Sequence, residues 1–559
     1  MVFLSTGSRL DNPYSSKKGG GSLSPKLWFA VLLLVLWFGI ILVVVDEDPQ
    51  LRKEVLDDLH REENLIQSKL RRGRLRAKKW LRDRIGDDEP AASSSSSKSS
   101  SASSTNNANA ERKHQWDLTR LEDLALRTGP ADEPIHIVFS TDCGPYQKWQ
   151  SYQFFLSALR VNQPGRITQI ASGCTETEKE ELNEWHEVHV APLSLRFGLH
   201  LTPEFSNVRD AEGKTVGTYE FFNKPFGLKH WMEYGEGMGI DRERNLPLRH
   251  DTIVALLDPD HMLVRPITGH FASPADVFRT GSMKEGSGGN VDSTTTLKEN
   301  RTKFTVRHGH PLSQEYGFRD GWRKYAHVAG EDSPATRVTA TEALRSYAVG
   351  PPYVATALDM YRIATLWCEF APLVHNEFPE LMAEMYAFSI ATAHLGLPHQ
   401  LVSSMMVSDT SVSSRNDVGG GEGWRMIDAI PAADVCSFAM NSLDADVRPL
   451  PTLLHFCQRY GVGDHDFFAK KKLPTDFFMC ESPLLEEPGR DIGSGKYLYR
   501  RPPFLANKVK LSAEEEKREA FMICAMIGVL NEYALYFKNR HCGEGANLKK
   551  EISLHDLPE

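Results

Sequence analysis

Residues 253–266 read IVALLDPDHMLVRP, where an apolar run, Ile253 to Leu257, delivers the chain into Asp258-Pro259-Asp260-His261. Two carboxylates one residue apart, with a proline fixing the backbone between them, can be aimed at one hard cation. Mg2+ or Mn2+ takes oxygen ligands and commonly bridges a protein carboxylate to substrate phosphates. The plainer reading is a turn in which Asp258 caps the segment that follows. Late in the chain, LPTLLHFCQRYGVGDHDF puts His455 at the end of another short apolar run. An imidazole there is the candidate third ligand of the same cation, with His465 a weaker second; the alternative is a satisfied core histidine.

Three more residue types point toward a phosphorylated ligand. Lys224, in NKPFG, can balance diphosphate charge as a point cation, or it can stand in solvent. Asn223 beside it can orient the same ligand or cap the helix-like segment that follows. In FPELMAEMYAFSIATAHLG, Leu381, Met385, Phe388, Thr392 and Leu395 recur at four- and three-residue steps. They form one helical stripe with Gly396 as C-terminal cap. Glu384 lies about 60° from the start of that stripe, at the edge of the buried face. A carboxylate there is either paired in a structural salt bridge or functional, because unpaired burial is costly.

The elements that must position these residues are legible from about Pro134 onward. IHIVFSTDC is a short β-rich run, YQKWQSYQFFLSALRVN has helical spacing, and GRITQIASGC reads as a second strand. Strand, helix and strand in that order make a βαβ unit, which favours an α/β fold with a mostly parallel central sheet. In such sheets ligands collect beyond the carboxyl ends of strands. Asp142 ends the first strand, where it can meet a bound base or cap the helix that follows. Two polar, Gly-rich stretches, 281–300 and 409–423, read as surface insertions, the first ending in the sequon Asn300-Arg301-Thr302.

Ahead of this domain, Leu27 to Val45 is a run of 19 residues without a charge, preceded by Lys17, Lys18 and Lys26 and followed by Asp46, Glu47 and Asp48. That length and charge bias describe a single signal-anchor helix with everything after Val45 lumenal. The expected organisation is a cytoplasmic tail at 1–26, the anchor at 27–45, and a stalk and Ser-rich tether at 46–130. A lumenal domain at 131–545 and a tail at 546–559 complete it. The tether, AASSSSSKSSSASSTNNAN, cannot bury enough apolar surface to order itself. A net charge of -9 over 559 residues gives no support to nucleic-acid binding. The basic run RRGRLRAKKWLRDR reads as a solvated helix face in the stalk. Eight cysteines contain no CxxC pair, so a zinc knuckle is disfavoured; in a lumenal domain some could pair, in an order the sequence leaves open. There is no GxSxG elbow and no HExxH.

Four blocks, in order, resemble one family. DPDHMLVRPI resembles the acidic motif of plant hydroxyproline O-arabinosyltransferases and the related peptidyl-serine galactosyltransferases. The segment from Ile135 to Cys174 resembles their opening strand and helix, FFNKPFGLKHWM their Asn-Lys/Arg-Pro block, and FPELMAEMYAFSIATAHLGLPHQL their Glu-Met-Tyr helix. The likeness runs from about residue 134 to about 480. One departure is His455-Phe456-Cys457-Gln458, where the family usually has His-Tyr and a Tyr-Gly-Cys-Asp-like segment. The resemblance implies a GT-A-like fold and Mn2+ (or Mg2+) held by Asp258, Asp260 and His455. It also implies a UDP-sugar donor contacted by Asp142, Asn223, Lys224, Asp258 and Asp260. Glu384 would face the sugar or acceptor. The acceptor would be hydroxyproline or serine in a secreted, Hyp-rich polypeptide, glycosylated with retention by a type II membrane enzyme of the Golgi or endoplasmic reticulum. Other expectations compatible with the residues are a glycan or lipid acceptor, and an inactive anchored carbohydrate-binding or scaffold protein.

Overall fold

Short apolar runs, buried almost throughout in all but β3, build the centre of the molecule: β1 (Ile135–Thr141), β2 (Arg166–Ser172), β3 (Phe197–Thr202) and β4 (Ile253–Leu257). Between them lie α1 (Pro145–Arg160), α2 (Glu176–Trp185) and α3 (Asn223–Tyr234). The order β1, α1, β2 is the βαβ unit that the sequence predicts, and β1 pairs with β2 in parallel, His136 beside Arg166 and Thr141 beside Ala171.

This computed structural model describes residues 135–209, 213–241, 243–272, 303–412, 421–442, 450–462, 466–489, 492, 511–548 and 550–554. All of them fall in one unit, residues 111–559. The expected anchor, stalk and tether, the sequon at Asn300 and the candidate His465 lie outside the described residues.

Further along come β5 (His261–Leu263), β6 (Leu312–Glu315), β7 (Val349–Thr356), α4 (Ala357–Glu377), α5 (Ala383–His394) and β8 (Gln400–Val402). The central sheet has seven strands in the order β8-β6-β7-β4-β1-β2-β3. All pairings are parallel except those that β7 makes with β4 and β6. The expected mostly parallel sheet is therefore present.

Because successive strand residues point to opposite faces, β4 feeds two cores. Ala255 and Leu257 join a core with Trp149, Tyr152 and Phe155 of α1 and with the long helix α6 (Ala513–His541). Val254 and Leu256 join the other, with Leu228 and Trp231 of α3, Trp367 of α4 and Phe388 of α5. Each such leucine or valine removed from water contributes about 1.5–3 kcal/mol, so β4 is held from both faces and by two neighbours. Among the described residues α6 alone is long and apolar enough to cross a membrane, but its apolar window is 94% buried inside the protein. It is a core helix. Three disulfides, Cys143–Cys174, Cys436–Cys524 and Cys480–Cys542, staple the domain, leaving Cys368 and Cys457 as thiols.

The helix around Glu384 departs from the predicted stripe. It starts only at Ala383, so Leu381 precedes it and is 63% exposed. The buried face carries Glu384, Ala387, Phe388 and Ala391, which places Glu384 inside the core rather than at its edge. The buried face follows Ala383, Ala387, Phe388 and Ala391, with Phe388 against Trp367 of α4, whereas Leu381 is exposed and Met385 half-buried. Gly396, at φ +64, ends the helix as expected.

Candidate active site

Asp258 and Asp260 leave the carboxyl end of β4 in a tight turn. The backbone N–H of His261 donates to the Asp258 carbonyl at 3.1 Å, and the Asp258 N–H donates to His261 Nδ1 at 3.0 Å. The chain then enters β5, which pairs antiparallel with β10 (Leu453–His455), preceded by β9 (Met406–Val407). The register sets His455 opposite His261, and the Phe456 N–H donates to the Asp260 carbonyl at 3.1 Å. This small ladder is what carries a histidine nearly two hundred residues away onto the acidic turn. His455 Nε2 lies 3.3 Å from Asp260 Oδ1.

Two lysines complete the charge balance. Lys224, in the first turn of α3, is largely buried, its side chain 12% exposed, and bridges Asp258 Oδ1 at 2.9 Å and Glu384 Oε1 at 2.8 Å. The solvent-exposed alternative for Lys224 is thereby set aside. Lys470, in the short helical turn after the hairpin of β11 (Arg459–Val462) and β12 (Asp466–Ala469), pairs with Asp260 Oδ2. Burial alone would raise both aspartates. Lys224 and His261 nevertheless hold Asp258 below the ordinary carboxylate range, and His455 and Lys470 hold Asp260 well below it. Burial would lower His455, yet Cys457 and Asp260 carry it well above 6.5. For Glu384 burial wins over Lys224 and raises the carboxyl. Its Oε2 is buried with no hydrogen-bond partner among the described residues. The helix end that holds it is pinned by Trp367 Nε1, which donates to the Glu384 carbonyl at 2.6 Å, and by Tyr219 Oη, which accepts the Glu384 N–H at 3.3 Å.

The residues fit a small divalent cation. Two neighbouring ligands of an octahedral ion with bonds of about 2.0–2.1 Å stand about 3 Å apart, close to the 3.3 Å between Asp260 Oδ1 and His455 Nε2. Asp258, His261 and His455 also each offer a ligand atom within 4.8 Å of one another. Proximity thus nominates His261 where the sequence nominated Asp260, and hydrogen bonding decides between them below.

The remaining expectations are placed less centrally. Asn223 is buried, but its Oδ1 accepts the Phe205 N–H at 3.1 Å, and the helix it opens has no side-chain cap. Asp142 is exposed at the end of β1, where its Oδ1 accepts the Gly144 N–H at 2.8 Å. It shapes the turn before α1 and lines a shallow pocket with Lys148, Gln169 and Glu178.

Four participants were not predicted. Lys470 is one; its only signal is the run Lys470-Lys471-Lys472. Tyr146, in the first turn of α1, accepts a hydrogen bond from Gln150 Nε2 at 3.2 Å, and its phenol is pushed up by burial and then by Asp260. Tyr316, just past β6, is raised by burial and then by Asp258, Cys457, Asp260 and Glu384. Cys457 hydrogen-bonds His455, and its Sγ lies 3.1 Å from Ser408 Oγ; burial would raise the thiol, but His455 lowers it.

No family model matches the chain. Two curated proteins do. A peptidyl serine alpha-galactosyltransferase of Arabidopsis thaliana is 23% identical over 315 residues, 52% of this chain and 31% of that protein. A protein of the same name from Chlamydomonas reinhardtii is 27% identical over 151 residues, 26% of this chain and 17% of that protein. The chain thus spans a third or less of the length of these relatives. Among solved structures, the WbbM bifunctional glycosyltransferase aligns at 10% identity and TM-score 0.28 over 58% of this chain and 46% of that one. An active-site mutant of LgtC aligns at 11% identity and TM-score 0.27 over 58% and 87%. The curated matches agree with the family that the four sequence blocks resemble: over the matched residues the chain is similar, at modest identity, to peptidyl serine alpha-galactosyltransferases.

Proposed function

We propose that this chain is a metal-dependent glycosyltransferase of GT-A type that moves a sugar from a UDP-sugar to a hydroxyl of serine or hydroxyproline in a secreted polypeptide. The observation that carries the reading is the buried Glu384–Lys224–Asp258 chain, which ends in the unpartnered Glu384 Oε2. An orphan buried acceptor costs about 1–3 kcal/mol, and a sugar hydroxyl is a donor that relieves it. Transfer breaks the bond from the anomeric carbon to the diphosphate oxygen, which keeps the electron pair, and forms one to the acceptor hydroxyl oxygen, whose proton passes to the departing diphosphate. Asp258, Asp260 and His455 would hold a divalent cation, which would supply Lewis-acid neutralisation of the departing diphosphate. Lys224 and Lys470 are the cations of this chain that can follow that charge as it develops. We assign Glu384 to the sugar, where its carboxylate would stabilise the cationic transition state.

Asp142, at the end of β1, and Tyr146 beside it are the residues we assign to the base of the donor, with Asn223 supporting the α3 end of the site. The relatives' name favours serine and galactose; the sequence resemblance also admits hydroxyproline and arabinose. Three disulfides support a secretory, lumenal setting, consistent with the signal-anchor read at 27–45 and with the Golgi or endoplasmic reticulum. The test is a donor screen on the full chain: UDP-galactose, UDP-arabinofuranose and UDP-glucose, each with a serine peptide, a hydroxyproline peptide and an oligosaccharide. Metal-dependent labelling of a peptide is expected. Labelling of the oligosaccharide alone, or neither transfer nor UDP-sugar hydrolysis, would overturn the reading.

A further inference from the structure

His261 is fully buried in the acidic turn and has two ring nitrogens to account for. Its Nδ1 lies 3.0 Å from the backbone nitrogen of Asp258. A backbone N–H can only donate, so Nδ1 accepts and carries no proton. The neutral ring then bears its proton on Nε2, which is buried without a hydrogen-bond partner among the described residues. An imidazole binds a metal through an unprotonated nitrogen. Here one nitrogen is taken by a backbone donor and the other is protonated. Nearness to Asp258 and His455 therefore does not make His261 a ligand.

We infer that His261 is a positioning residue that clamps the Asp258-Pro259-Asp260 turn and stays outside the ligand shell, leaving Asp258, Asp260 and His455 as the protein ligands. The inference rests on the metal reading proposed above. The clamp closes from both sides: the side chain accepts the Asp258 N–H, and the backbone N–H of His261 donates to the Asp258 carbonyl. Asp258 and Asp260 are thereby fixed at both ends of a three-residue loop, and the second carboxylate faces His455. Edge-to-face packing of the His261 and His455 rings, with centroids 4.4 Å apart, orients the ligand histidine against the clamp.

Two substitutions separate a clamp from a ligand. An asparagine Oδ1 stands at nearly the same reach as Nδ1 and accepts the same N–H, but it cannot replace a ligating Nε2. Full-length His261→Asn is expected to keep Mn2+ affinity within about threefold, whereas His261→Leu loses about 10–100-fold, the range for outer-sphere residues. Pulsed electron paramagnetic resonance of bound Mn2+ should show one imidazole nitrogen in the wild-type chain and in His261→Asn, and none in His455→Gln. Two coupled imidazoles in the wild type, or loss of a nitrogen in His261→Asn, would overturn the assignment. Should His261→Leu fail to fold, 15N-histidine spectra of the metal-free wild-type chain carry the test, with His261→Asn identifying the resonance. A proton on Nε2 supports the clamp, and a proton on Nδ1 refutes it whatever the metal does. A wild-type chain that binds no Mn2+ would overturn the metal reading and this assignment together.

Discussion

Replacing Lys224 with methionine removes one cation from between two buried acids. The contacts of 2.9 Å to Asp258 and 2.8 Å to Glu384, laid end to end, put those oxygens at most about 5.7 Å apart. At an effective dielectric constant of about 20, two negative charges at that distance repel by about 3 kcal/mol, before counting the lost attraction. Stripping one partner from a buried ion pair costs about 3–5 kcal/mol in total, and Lys224→Met should fall in that range. The penalty should depend on pH in a definite direction. Without Lys224, Glu384 moves further above its ordinary value, already exceeded by burial. The folded protein then retains a proton that the unfolded chain has released, so stability falls as pH rises from about 4.5 through the raised value. Urea unfolding of the variant and wild type at pH 5 and pH 8 measures this. The gap should be widest at pH 8, and adding Glu384→Gln to the variant should recover about 3 kcal/mol of it. A gap of the same size at both pH values, or no recovery in the double variant, would refute the reasoning.

Other outcomes follow from the same structure. Gly350 lies under Tyr316, and a Cβ there would stand 2.1 Å from the ring, so Gly350→Ala should displace the Tyr316 ring. A cost of about 1–3 kcal/mol in melting experiments is expected, with a fall in turnover. His136 is buried against Trp231 and Thr168, and burial, aided by Arg166 and Arg249, lowers it to about 3. Its unfolded value is about 6.5, so the unfolded chain takes up the proton first and stability drops on acidification. Between pH 7 and pH 5 this one group removes about 2 kcal/mol, and His136→Gln should flatten the pH profile of stability by that amount. Cys436 and Cys524 tie α6 to the short helix Val435–Ser442 across a separation of 88 residues. The double serine variant should lose about 4–5 kcal/mol by chain entropy, read by denaturant titration.

What the sequence made legible was whatever depends on short-range order. The β1-α1-β2 unit follows from a switch of periodicity within forty residues, and β4 from an uninterrupted apolar run that only a strand covered on both faces tolerates. Asp258, Asp260 and Lys224 stood out because a carboxylate pair and a lysine beside a proline are conspicuous at such places. Glu384 was found by its chemistry, although its burial was underestimated: the helix begins two residues later than the apolar stripe, and its alanines, not Leu381, face the core. The partners that were missed are set by long-range pairing. Lys470 reaches Asp260 only through the hairpin after β10, and Tyr316 only because β6 docks beside an antiparallel strand with glycine at the crossing point. His261 could not be assigned from its neighbours in sequence, since its role depends on which of its nitrogens meets a backbone N–H.

The most direct test of the central claim is calorimetric titration of UDP into the full chain, with and without Mn2+, for the wild type and Asp260→Asn. The account predicts that UDP binds the wild-type chain in the presence of Mn2+. Affinity should fall at least about tenfold when the metal is withheld or when Asp260 is neutralised. Equal UDP affinity with and without metal, or unchanged affinity in Asp260→Asn, would contradict it.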